Sequence, residues 1–524
     1  MRIVLISFHT DVLSVGTRTL SACLKRAGHE VRLIFLPEPL IHGRNANTQF
    51  LRRAYRGEYD ASVLQQIVDL CRDAQLIGVS LLSNYFFGAI TITQALKKEL
   101  ETPVIWGGPH PTANPESCIA YADMVCVGEG EEAITELAER LSRGEPYDQI
   151  MNLWVRQNGQ VIRNAPRPLN QNLNTVPIPD CDLIGQYILD GQEVVRVDAD
   201  LIRRYTVYKA GAQGGVSYLV LTSRGCPHNC AYCGNNMWRR IYDGQRYLRR
   251  RSVENVCDEL ELAIARIPDI KAITFADDNF TAMPIDQLSA FLETYRRRIG
   301  LPFSCTLSAV FCDEQRVKML LDAGVYRISL GIQTGSPRIL ELYQRRVSLE
   351  SVGKAIPVLE RCRPLMLEPR DVKYHYIIDN PYETPEDKIA TFTHVLDHIP
   401  RRESVLFFSL VPFPGTAIHD KMQQDGLLVH EDEQIYHKDV FDSQAGFAGQ
   451  WVRMYRGGIP DSVLRALLKP RLIQVMDAGR PRWLFGALYW SLDQGYHLLG
   501  GGKRLLGRAV RALVKTRSKL EMAS

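Results

Sequence analysis

The chain has 524 residues, 45% hydrophobic and 23% charged. That balance excludes wholesale disorder, and the length is too great for one ordinary core, so two or three domains are expected. The 38 glycines and 27 prolines exclude collagen-like and low-complexity chains, no stretch approaches the roughly 20 apolar residues that cross a bilayer, and a net charge of +4 gives no reason to expect nucleic acid as a partner.

Residues 1–142 alternate strand and helix. Apolar runs at 2–8, 30–35, 76–82, 104–106 and 124–127 are separated by helical patterns at 16–27, 61–73, 87–100 and 131–141. Near-continuous apolar strands between helices predict a parallel sheet covered on both faces. The simplest such architecture is a doubly wound, Rossmann-like sheet that binds ligands beyond the strands' carboxyl ends. The opening MRIVLISFHTD lacks the long apolar run and cleavage site of a signal peptide, so a cytoplasmic location is expected. There the 12 cysteines stay reduced, and the nine scattered singly read as small hydrophobes.

Residues 143–215 break the rhythm. Asn158-Gly159 between 153–156 and 160–163 signals a hairpin, and RPLNQNLNTVPIPD has no period, so this region is expected to be a linker with a hairpin. The β-then-α rhythm resumes over 216–420, with strands expected at 218–222, 272–275, 304–307, 327–331, 374–378 and 405–410. Helical patterns such as 252–267 and 351–363 separate them, and Thr384-Pro385-Glu386-Asp387 reads as a helix start. Six strands each feeding a helix predict a partial (β/α)6 barrel with active-site residues just after each strand. Residues 421–524 read as a mostly helical region. Its tail, from Lys503 to Lys519, carries seven basic residues and no acid. An apolar stripe through Leu505, Leu506, Ala509, Val510, Leu513 and Val514 suits packing on the barrel, with contact to an anionic membrane surface as the alternative.

The densest chemistry lies in Thr222-Ser-Arg-Gly-Cys226-Pro-His-Asn-Cys230-Ala-Tyr-Cys233-Gly, in the loop after the first barrel strand. A structural zinc site closes with four ligands, and His228 would be an awkward fourth between two of the cysteines. Three thiolates suit a four-iron cubane whose fourth iron stays open to chelate a small molecule.

These residues resemble the signature of the radical S-adenosylmethionine (SAM) enzymes, and the resemblance covers about 215–420. It implies a [4Fe-4S] cluster on Cys226, Cys230 and Cys233, SAM on the open iron, and one-electron cleavage of SAM to a 5′-deoxyadenosyl radical. An external electron donor such as flavodoxin or ferredoxin is implied with it. Asp277 and Asp278, after the second strand, match the place that binds the SAM amino group, with an ordinary Asx turn as the competing reading. Gln333, in Ser-Leu-Gly-Ile-Gln, takes a place where many relatives have glutamate on the strand that contacts ribose and methionine. Ile378 is placed to pack on adenine, and Tyr232 fits the aromatic slot where the backbone meets the adenine edge, with core packing as the competing role.

A doubly wound domain ahead of such a barrel is similar to the cobalamin-binding class of that family. The supporting positions are Ser80 and Ser83 around the third strand, Gly107-Gly108 after the fourth, and Gly128-Glu129-Gly130 after the fifth. Glycines there allow a large planar ligand to approach the backbone, and serine hydroxyls can bond its polar groups. Cobalamin domains with a lower axial histidine carry Asp-x-His-x-x-Gly after the first strand. Here the loop is His9-Thr-Asp11-Val-Leu-Ser-Val-Gly16, so cobalamin is expected without histidine ligation. The implied function is a cobalamin-dependent radical SAM methyltransferase acting on an unactivated carbon of a small molecule. Ring formation or rearrangement in tetrapyrrole or lipid pathways is the nearest alternative. A non-catalytic sensor is the alternative of another class, and no helix-turn-helix output module supports it.

Overall fold

The structure, a computed structural model, describes residues 1–9, 11–37, 54–210, 214–438, 440 and 446–478. The basic tail and the apolar 483–489 upstream of it lie outside the described residues. Among those residues, no helix is long and apolar enough to cross a membrane. Two compact units divide the chain. Met1–Ile332, Leu340–His375 and Val411–Val440 form the first; Gln333–Ile339, Tyr376–Leu410 and the described residues from 446 onward form the second.

The first unit opens with β1 (Arg2–Phe8), β2 (Glu30–Phe35), β3 (Leu76–Leu81), β4 (Val104–Gly107) and β5 (Met124–Cys126). All five run parallel. Six of the seven β1 residues are buried, because helices cover both faces and the strand has no solvated side. Trp106 is fully buried on β4 and donates its indole N–H to Thr93 Oγ1 at 2.9 Å, which satisfies the one polar atom of that side chain. After β2 the chain returns to the other side of β1 to make β3, so the crevice of this doubly wound sheet opens between β1 and β3.

The region expected to be a linker does more than connect. Its hairpin, β6 (Leu153–Gln157) and β7 (Gln160–Arg163), forms as expected, with Asn158 and Gly159 both at positive φ. β6 then pairs antiparallel with β5. A second hairpin, β8 (Gln186–Asp190) and β9 (Glu193–Arg196), adds to the opposite edge through β2. The sheet therefore has nine strands in the order β7-β6-β5-β4-β3-β1-β2-β8-β9. Capping both parallel edges with hairpins covers their unpaired backbone groups.

β10 (Val216–Val220) starts a second sheet, joined by β13 (Ile270–Phe275), β14 (Phe303–Ser308), β15 (Val325–Gln333), β16 (Asp371–Ile378) and β17 (Val405–Ser409). Their spatial order is sequential, and helices such as Val253–Arg266 and Leu349–Cys362 intervene, the α/β architecture of a partial (β/α)6 barrel. Between β10 and β13 lies a short antiparallel pair, β11 (Ser223–Arg224) and β12 (Arg249–Arg250).

The second unit contains the helix Pro385–His398. Thr384 and Asp387 form a reciprocal capping box around Pro385 at its start, as the local sequence predicted. Phe392 stacks on Trp451 with centroids 4.2 Å apart, forming the aromatic centre of that unit.

Candidate active site

The cavity and the cysteine loop lie within the first unit. A cavity of about 600 Å³ opens at the carboxyl ends of β1, β3, β4 and β5. One wall carries His9, Ser80, Gly107, Gly108, Gly128, Glu129 and Gly130. The opposite wall comes from the barrel: Leu221 after β10, Cys233 and Asn235 of the cysteine loop, and Asp278 after β13. Leu5, Ile6, Val79, Ile105 and Trp238 make much of the remaining surface apolar.

Three of these glycines divide by cause. A Cβ added to Gly107 or Gly130 would come no closer than 3.7 or 3.5 Å to any protein atom, so their bareness answers to the cavity and not to packing. Gly128 has φ +99°, and a Cβ there would lie 2.1 Å from the Tyr242 hydroxyl. Gly128→Ala is therefore expected to lower stability by at least about 2 kcal/mol, read as a fall in the denaturation midpoint. The double variant with Tyr242→Phe should recover the steric part and keep the backbone strain. An unchanged midpoint in Gly128→Ala would show that Tyr242 simply moves aside.

Glu129 is held inside the fold. Its carboxylate accepts from both Arg249 terminal nitrogens at 2.6 and 3.0 Å and lies 3.1 Å from Arg224. Its backbone N–H donates to the Tyr242 hydroxyl at 3.0 Å. Burial alone would raise its pKa, but Arg249 and Arg224 more than offset that and hold it below the ordinary glutamate value. The residue therefore ties the β5 end to the strand pair β11–β12.

The adjacent aspartates point to different tasks. Asp277 is buried, and its carboxylate accepts from the Thr222 hydroxyl at 2.8 Å, the Thr222 N–H at 3.2 Å and the Ser223 hydroxyl. It clamps the end of β10 to that of β13 and does not line the cavity. Asp278 is exposed within the cavity wall, and the surrounding protein raises its pKa by desolvation. Ser83 is likewise turned inward, bonded to His110 Nδ1 at 3.1 Å, while Ser80 reaches the cavity.

The cysteine loop is ordered by bonds that do not involve its thiols. Ala231 donates its N–H to Tyr343 O at 2.8 Å and accepts from Ile418 N at 2.9 Å, and the Asn236 side chain donates to Asn229 Oδ1 at 3.0 Å. Cys226 and Cys230 are buried and Cys233 is half-buried. Burial pushes the Cys226 thiol up to about 12 and also raises Cys233. Cys233 caps the helix Gly234–Ile241, and Asn235 Nδ2 lies 3.6 Å from its sulfur, with the Asn235 oxygen held by the Tyr247 hydroxyl at 2.6 Å.

The donor set fits a cluster better than one ion. A single zinc, with Zn–S bonds of about 2.3 Å, would draw its ligands to one point. Three thiolates in one loop leave a single zinc a ligand short of its usual four. His228 directs Nε2 to Ser308 Oγ at 3.0 Å. A cubane takes each thiolate on a different iron, so its cysteines stay apart.

Tyr232 packs edge-on against Tyr343 at 4.8 Å, and its hydroxyl accepts from Arg345 at 3.2 Å; it does not line the cavity. Gln333 and Ile378 fall in the second unit. Gln333 ends β15 at φ +81° and Ile378 is buried at the end of β16. Arg345, Arg249, Tyr242 and Tyr247 were not anticipated from sequence, which holds no periodicity or motif that marks them.

Residues 1–138 match the B12 binding domain family and residues 220–392 the Radical SAM superfamily. An uncharacterized methyltransferase of Pyrococcus horikoshii, PH0819, is 28% identical over 72% of this chain and 78% of its own length. The bacteriochlorophyllide d C-8(2)-methyltransferase of Chlorobaculum tepidum is 22% identical over 70% of this chain and 72% of its own. The solved structure of TsrM, a radical S-adenosylmethionine methyltransferase from Kitasatospora setae, has a TM-score of 0.57 at 18% identity, covering 82% of this chain and 77% of that one. At that identity the likeness is one of fold.

Proposed function

The chain belongs to the cobalamin-binding radical SAM enzymes, and we propose that it methylates an unactivated carbon of a small molecule. One observation carries this reading. The glycine-bearing strand ends of the doubly wound sheet and the cysteine loop of the barrel face a single cavity. A reaction that needs a radical at one wall and a methyl donor at the other requires that juxtaposition.

When bound, the cluster, SAM and cobalamin supply the electron, the radical and the methyl group. The residues of this chain would bind and orient them. Cys226, Cys230 and Cys233 hold iron as thiolates, so loading the site releases their protons. Asp278 is the carboxylate that faces the cavity and would take the SAM ammonium, by a charge-assisted hydrogen bond in a partly desolvated wall. Gly107 and Gly130 admit the corrin edge, and Ser80 offers a hydroxyl to its amide groups. The apolar surface from Leu5, Ile6, Val79, Ile105, Leu221 and Trp238 would keep bulk solvent, and with it solutes that give up a hydrogen atom readily, out of the space where the radical forms. The enzyme would work in the cytoplasm with flavodoxin or ferredoxin as electron donor.

The test is anaerobic turnover with SAM deuterated at its methyl group, a chemical reductant and candidate metabolites, followed by mass spectrometry. Methyl transfer predicts a product in which CD3 replaces one hydrogen of the substrate. Substrate-dependent SAM cleavage whose product carries no label would replace methyl transfer with ring formation or rearrangement.

A further inference from the structure

Arg345 follows the helix Pro337–Leu342 and reaches the cysteine loop from more than 100 residues away in sequence. One terminal nitrogen lies 3.6 Å from Cys230 Sγ and 3.2 Å from the Tyr232 hydroxyl; the other donates to Gly331 O at 2.6 Å. Its Nε is buried and has no hydrogen-bond partner among the described residues. The carbonyl of Gly331 on β15 thus fixes the guanidinium, and the Nε–H is left without an acceptor among the described residues. A buried N–H of this kind calls for one. The neighbouring backbone repeats the link, since Tyr343 O holds Ala231 N, midway between Cys230 and Cys233.

We propose that Arg345 is a positioning residue that sets the reduction potential of the iron–sulfur cluster by donating N–H bonds to its sulfur ligands. The proposal rests on the reading of Cys226, Cys230 and Cys233 as cluster ligands. A guanidinium stays protonated at any working pH. Its positive charge and N–H donors beside a thiolate favour the state with one more electron, because reduction adds negative charge to the cluster. Arg345 would therefore make the one-electron reduction easier, with the electron coming from the external donor and no proton changing place.

The measurement is a redox titration of the anaerobically reconstituted full chain without SAM, followed by electron paramagnetic resonance, with iron content recorded for each variant. In Arg345→Met and Arg345→Gln, both neutral, the reduced-to-oxidised ratio at the wild-type midpoint should fall by about tenfold, equivalent to about 59 mV for a one-electron couple. Arg345→Lys should recover at least half of that shift. Loss of iron from both neutral variants with retention in Arg345→Lys would report the same dependence on charge, read through binding. Unchanged midpoints in iron-replete neutral variants would overturn the proposal, as would loss of iron from all three, which would assign Arg345 to packing alone. Wild-type protein that holds no cluster would instead overturn the ligand reading beneath it. A shift seen only with SAM present would place Arg345 on SAM and reject the tuning role.

Discussion

Replacing Cys226, Cys230 and Cys233 together with alanine should abolish iron binding, cluster absorbance and SAM cleavage, leaving turnover at background. The effect is total because a three-cysteine cluster has no spare protein ligand, and His228 is bonded to Ser308. The fold should survive. The loop is tied through Ala231 to Tyr343 and Ile418 and through Asn229 to Asn236, and none of those bonds uses a thiol. The opposite cavity wall is made by β1, β3, β4 and β5 without a contribution from the three cysteines, so cobalamin binding should persist in the triple variant and serves as the control for folding. Iron retained by the triple variant, or zinc as the metal of the native protein, would show the cluster assignment to be wrong.

The second large effect concerns cobalt. One cobalamin should bind per chain, and the Co(II) form should show no superhyperfine splitting from a protein nitrogen. His9 is the one imidazole in the cavity wall among the described residues, so the question reduces to that side chain. Burial lowers its pKa to about 4, which leaves the ring neutral and chemically able to donate. What it lacks, among the described residues, is support. A ligating histidine normally passes its other N–H to a carboxylate, carbonyl or water. The nearby Asp11 is engaged elsewhere, accepting from Leu13 N at 2.8 Å and Val207 N at 3.1 Å. Because the folded pKa lies far below neutrality, the ring is already deprotonated across roughly pH 6 to 8, and the spectrum should not change over that window. Nitrogen splitting that disappears in His9→Ala would overturn the prediction. Failure to bind cobalamin would remove the methyltransferase reading altogether.

Much of this was legible in the sequence because its signals are local. Three cysteines within eight residues announce their own chemistry, since the spacing that suits a cluster is contained in one loop. The parallel strands β1 to β5 showed as apolar runs because helices cover both faces of that part of the sheet, and Thr384-Pro385-Glu386-Asp387 carries its helix start in four adjacent residues. Asn158-Gly159 marked a hairpin for the same reason: the turn's positive φ values are a property of those two residues.

Tertiary structure alone decided what those elements meet. The sequence around residues 143–215 reads as linker because edge strands are short and half-solvated, yet their backbone groups close both edges of the nine-stranded sheet. Asp277 and Asp278 are indistinguishable as neighbours in sequence. Only the end of β10 determines that the first is consumed by Thr222 and Ser223 while the second faces the cavity. Glu129 lines the cavity within its glycine-rich turn, and Arg249, 120 residues later, also makes it an ion-pair anchor. Arg345 carries no motif, and its meaning lies entirely in reaching Cys230. Backbone conformation and burial pattern are written in adjacent residues, whereas the partner of a charged or polar side chain is fixed by chain segments brought together only when the core closes.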